Sequence, residues 1–141
     1  YTSSSSAASD VYKRQKYESE GVATLEDGLY VLEENLKNAA FKDKMVRFVR
    51  ASMKGWKYAE QNPAEAAEIV VDNDDSGAQT VEHNTTQMGE IIKLTAGSNG
   101  SLDPADYQRT VDSLMTGGSD PVITKMPEGA WTHEITDLAL K

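Results

Sequence analysis

Apolar residues recur at three- and four-residue spacing along most of this chain, and that spacing predicts helices. Phe41, Met45, Phe48, Val49, Ser52, Trp56 and Ala59 form one stripe on a helix of about five turns, expected over 41–60. Ala66, Ala67, Ile69, Val70 and Val71 supply the buried side of a second helix over 63–72. Val81, Thr85, Met88, Ile91, Ile92 and Thr95 define a third over 79–96, and Tyr107, Val111, Leu114 and Met115 a fourth over 104–116. Short helices are expected over 32–38 and 132–140. The stretch from Val22 to Val31 has a different pattern. Thr24, Leu25, Leu29, Tyr30 and Val31 with Gly28 among them favour extended backbone, so one or two short strands are expected near 22–31.

Punctuation sharpens these boundaries. Pro63 ends the first helix near Gln61 and suits the first position of the next, with Asn62 as its cap and Glu65 placed to reach back to the cap amide. Leu102-Asp-Pro-Ala-Asp-Tyr107 is a fuller start signal: Asp103 caps, Pro104 opens the helix, and Leu102 can staple onto Tyr107. Gly97 is expected to end the third helix, and Gly117, Gly118 and Pro121 the fourth. No fixed period repeats, which argues against a solenoid.

The beginning of the chain stands apart. Ser5 to Gln15 read Ser-Ser-Ala-Ala-Ser-Asp-Val-Tyr-Lys-Arg-Gln, which resembles a transposon-end sequencing adapter translated in one frame. Residues 1–15 are therefore expected to be adapter-derived and disordered, with the natural protein entering mid-gene near Lys16; an ordinary Ser-rich disordered terminus is the alternative.

Charge and composition narrow the function. The 141 residues hold 23 acidic against 14 basic side chains, a formal charge of −9, and setting aside residues 1–15 leaves the rest slightly more acidic still. Such a balance disfavours non-specific nucleic-acid binding, which needs a basic face to neutralise phosphates. No apolar run is long enough to span a membrane. With no cysteine there is no disulfide, thiol nucleophile or thiolate ligand. Arg47, Arg50, Lys54 and Lys57 line the polar side of the long helix, to be read as a solvated face or, alternatively, a docking surface.

Candidate chemistry is sparse. In Asp72-Asn-Asp-Asp-Ser-Gly77, Asp72, Asp74 and Ser76 occupy the first, third and fifth positions of a calcium loop and Gly77 the sixth, but His83 stands where the closing carboxylate belongs. Asp and Asn in a turn account for the same residues, and no metal is expected. His83 and His133 share no metal-binding motif, no G-x-S-x-G elbow marks a hydrolase, and Gly97-Ser-Asn-Gly100 lacks the Lys of a phosphate loop. Trp56, on the apolar stripe, is expected in the core. Neither a catalytic residue nor a cofactor is expected.

The order of segments resembles a family. Glu26-Asp-Gly-Leu-Tyr-Val31, then Arg47-Phe-Val-Arg-Ala-Ser-Met-Lys-Gly-Trp-Lys-Tyr-Ala59, then Asn62-Pro-Ala-Glu-Ala-Ala-Glu-Ile-Val70 are similar to the C-terminal part of bacterial ABC-transporter substrate-binding proteins of the nitrate, sulfonate, taurine and thiamine-precursor type. Leu102-Asp-Pro-Ala-Asp-Tyr-Gln-Arg-Thr110 and Trp131-Thr-His-Glu-Ile135 resemble that family's closing helices. The resemblance implies a predominantly α portion, 16–141, of a two-lobed α/β periplasmic binding protein of type II, with 22–31 as the strand returning through the hinge. It also implies a periplasmic, monomeric protein that captures a small solute for an ABC permease, with a signal peptide upstream. Glu26 and Asp27 are the implied ligand-binding residues within this chain, at the mouth of the cleft, and ordinary turn carboxylates are the competing reading. Two alternatives stay open: a fragment of a pyrimidine synthase of the same superfamily, and a small helical interaction module using the Arg47 to Lys57 line.

Overall fold

The computed structural model describes residues 22–141. The stretch 1–15, read as adapter-derived and disordered, lies outside the described residues, as does the natural start near Lys16. The described residues form two compact units, one joining 22–29 with Leu102–Trp131, the other joining Tyr30–Ser101 with Thr132–Lys141. Both are helical. A 3₁₀ turn, Glu33–Lys37, precedes α1 (Ala39–Gln61), α2 (Pro63–Asp72), α3 (Val81–Thr95), α4 (Pro104–Thr116) and the single turn α5 (Thr136–Ala139).

The predominantly α class expected from the periodicity is what the fold displays. The expected short strand is not formed: among the described residues there is no strand, and 22–32 runs without regular structure. A strand is completed by its neighbour, and here the Leu25 N–H is satisfied instead by the Thr110 hydroxyl of α4, at 2.8 Å. Around that contact α4 buries Val111, and its Tyr107 ring lies 6.1 Å from Trp131 at an interplanar angle of 59°. The cap and the opening proline of the start signal form as read, with Asp103 Oδ1 accepting the Ala105 N–H at 2.7 Å and Pro104 first in the helix. Beyond α4 the N–H groups of Val122 and Ile123 both turn back to the Leu114 carbonyl.

In the larger unit, α1 begins at Ala39, slightly earlier than the stripe suggested, because Asn38 Oδ1 accepts the Phe41 N–H at 3.1 Å. It ends before Pro63, as expected, but Asn62 behaves differently from its assigned role. Its side chain makes no cap bond to α2; its amide Nδ2 donates backwards to the Tyr58 carbonyl at 3.0 Å. The same carbonyl accepts the Asn62 backbone N–H at 2.8 Å, so both donors of Asn62 close the end of α1. Glu65 does not take the cap amide, which donates to the Tyr58 carbonyl; hydrogen bonding to the Glu65 carboxylate, first, and desolvation, next, hold the Tyr58 phenol above its usual pKa.

α2 and α3 pack on each other. α2 turns Ala66 and Ala67 inward, the latter with no exposed surface at all, while Ile69 and Val70, expected on the buried side, stay in solvent. Small side chains permit close approach of two backbones. α3 buries Asn84, a residue outside its expected apolar stripe, whose amide donates to Gln79 Oε1 and the Thr80 carbonyl, each at 3.0 Å. Thr80 caps α3 by accepting the His83 N–H, and Gly97, with φ of +80°, follows its last turn in the left-handed conformation that glycine adopts without strain.

The last helix, expected over 132–140, contracts to one turn. Residues 132–135 are organised by side chains, the Thr132 hydroxyl accepting the Glu134 N–H and the Thr136 hydroxyl donating to the His133 carbonyl. This segment docks on α1. Lys42 and Glu134 form an ion pair, and Arg50 donates through Nη2 to the Leu138 carbonyl at 3.1 Å and through Nε to that of Ala139 at 3.3 Å. Ala139 and Val49 are buried.

Candidate functional site

The acidic loop between α2 and α3 is held by hydrogen bonds among its own residues. Asp74 Oδ1 accepts from the Ser76 N–H at 3.0 Å and from the Ser76 hydroxyl at 2.5 Å, and Oδ2 accepts from the Gln79 N–H at 2.8 Å. The Ser76 hydroxyl in turn accepts the Ala78 N–H. This is an Asx turn extended by one link, and Gly77, at φ of +67°, lets it close. The Ser76 hydroxyl first, and the Gln79 N–H next, hold the Asp74 carboxyl below the usual range. Its oxygens are engaged by the loop itself. Asp72 is the last residue of α2, and no group of three or more His, Asp or Glu side chains converges to hold a cation among the described residues.

Glu26 and Asp27 lie in the irregular segment beside α4, both exposed and without a hydrogen-bond or ion-pair partner among the described residues. Leu25, next to them, is the residue that anchors this segment. Their side chains are available to a solute, but no wall of a cleft is formed by them.

The basic line on α1 separates into different roles. Arg47 pairs with Asp43 one turn back at 3.0 Å, and Arg50 is committed to the carbonyls of the last turn. Lys54 and Lys57 are exposed. The sequence carried no signal for the part played by Arg50, since its partners are backbone atoms almost ninety residues away.

Trp56, expected in the core, is 49% exposed, and Phe48 on the same stripe is 50% exposed. The covered side of α1 runs through Val49, rotated from the centre of the stripe, because the final segment docks there. Two open hollows occur in this unit. One, of about 370 Å³, involves Asn99, Ser101, Asp137 and Lys141; the other, of about 330 Å³, lies at the start of α3 beside His83. In neither does a hydroxyl hydrogen-bond to a side chain that could serve as its base: the Thr80, Thr86 and Thr136 hydroxyls bond to backbone groups. Compared with models of protein families, with characterised proteins and with solved structures, the chain matches none.

Proposed function

We propose that this chain is the C-terminal portion of a solute receptor of an ABC import system, which captures a small sulfonate, nitrate or pyrimidine-like solute and delivers it to a membrane permease. No bond is made or broken. The observation that carries this reading is the uncovered apolar surface of the larger unit. Phe48 and Trp56 of α1 and Ile69 and Val70 of α2 are each at least 40% exposed, while the buried apolar residues of that unit are Val49, Ala66, Ala67 and Ala139. Helices with apolar stripes of this kind cover a sheet in α/β proteins, and these four large side chains are what such a sheet would cover. In this reading the covering sheet and most of the cleft are contributed by sequence upstream of Lys16, Glu26 and Asp27 stand at the cleft mouth, and solute capture proceeds by hinge closure.

The helical-module reading is weakened by Arg50, whose guanidinium serves the fold and is lost from the centre of the proposed docking line. Sequencing the source locus upstream of the Lys16 codon, from DNA prepared without transposon fragmentation, tests the receptor reading. It is expected to continue in frame through a full first lobe and a signal peptide; a start codon immediately before Lys16 overturns it. Calorimetric titration of the isolated chain with nitrate, taurine and a pyrimidine is expected to give no heat.

A further inference from the structure

The loop joining α3 to the residues before α4 reads Gly97-Ser-Asn-Gly100. Ser98, Asn99 and Gly100 are all exposed. Asn99 Oδ1 accepts the Ser101 N–H at 2.9 Å, and the Gly100 N–H donates to the Ser98 hydroxyl oxygen at 3.2 Å. Each bond favours one chemical event. A hydrogen bond to the amide oxygen draws electron density from Cγ of Asn99 and makes it a better electrophile, while an oxygen acceptor on the Gly100 N–H assists its deprotonation and leaves a nucleophilic backbone nitrogen. That nitrogen belongs to a glycine, so no Cβ obstructs its approach.

We propose that Asn99-Gly100 is a site of spontaneous covalent modification by succinimide formation. The Gly100 nitrogen attacks Cγ of Asn99, a new C–N bond closes the five-membered imide, and the side-chain nitrogen leaves as ammonia after taking up a proton. Water then opens the imide at either carbonyl, giving aspartate or isoaspartate. No oxidant or cofactor takes part, and the charge of the chain becomes more negative at each converted site.

The isoaspartyl product has a structural effect that the aspartyl product lacks. Gly100 has φ of +80° and lies so close to α1 that a Cβ there would meet Met53 Sδ at 2.5 Å. Isoaspartate inserts a methylene into the backbone just before this contact and moves Gly100 off Met53. Aspartate keeps an acceptor for the Ser101 N–H and leaves the backbone path unchanged.

The other asparagines are placed less favourably: Asn35 lies within the 3₁₀ turn and is followed by the bulky Leu36. Asn38, Asn62, Asn73 and Asn84 sit at or inside helix ends with their side chains engaged and are followed by Ala, Pro, Asp and Thr. The purified chain, incubated in mildly alkaline buffer and sampled by intact mass and peptide mapping, is expected to gain about one dalton at Asn99 before any other asparagine, with isoaspartate among the products. Asn99→Gln is expected to abolish that early gain, and Ser98→Ala to slow it several-fold with helix content unchanged. Conversion of any other asparagine ahead of Asn99 would overturn the assignment. An unchanged rate in Ser98→Ala, with the circular dichroism spectrum intact, would overturn the part given to the loop geometry.

Discussion

Asp74 shows how a residue with the appearance of a ligand is used up by its own turn. Its two oxygens accept from Ser76 and Gln79, and those bonds favour the charged carboxylate. Because its pKa in the fold is lowered, the contribution of this turn to stability is present above the ordinary Asp value of about 3.9 and is lost as pH falls through the lower value in the fold. The Gln79 amide resonance is therefore expected to titrate with a midpoint below about 3.9 in an NMR pH series, and a midpoint at or above that value would mean the bonds are not made in solution. The same residues at the same spacing suggested calcium only as far as the sixth position, and the turn chemistry legible in Asp, Ser and Gly was the better guide. Asn62 is less legible: its sequence context satisfies the rules for a cap, yet its backbone N–H and its side-chain amide both donate to the Tyr58 carbonyl and close the helix behind it instead.

Elements were most readable where their signals are local. α2 and α4 begin at the prolines that announced them, and Gly97 follows the end of α3. The extended stretch near Val22 and the last helix were misjudged in form because both depend on partners distant in sequence, α4 for the first and α1 for the second. Capping provides a direct comparison between a start signal that formed and one that did not. Asp103→Ala removes a cap bond at 2.7 Å and is expected to cost about 1 kcal/mol, whereas Asn62→Ala removes no bond to α2 and is expected to cost only a few tenths. Chemical denaturation of the two variants beside the parent chain measures both; equal losses would show that Asn62 caps α2 in solution.

For the molecule as a whole, periodicity identified which residues are apolar on one face but not how much of that face is covered. The stripe on α1 is present, yet its covered side passes through Val49 and leaves Trp56 and Phe48 half in water, and the buried residues of α2 are Ala66 and Ala67, which carry little weight in any hydrophobic pattern. Substitutions should therefore invert the usual expectation of size. Trp56→Ser is expected to change stability by less than about 0.5 kcal/mol, and to reduce binding of an apolar dye. Ala67→Leu, which overfills a position with no exposed surface, is expected to cost about 1–3 kcal/mol. Thermal melts with dye fluorescence on the two variants check this; a large loss for Trp56→Ser would place that ring in a covered core.

The docking of the last segment on α1 also sets an order of events in time. Lys42 and Glu134 are 92 residues apart, and Arg50 and Ala139 are 89 apart, whereas the contact between α2 and α3 joins neighbours in sequence. Helices and their adjacent pairings form in microseconds, but a closure over so long a span waits on chain diffusion and its entropy. The Tyr30–Ser101 stretch is thus expected to acquire its helices early and remain open along α1 until 132–141 returns. Lengthening 102–131 would delay that return while costing only about 0.6 kcal/mol for each doubling of the intervening loop.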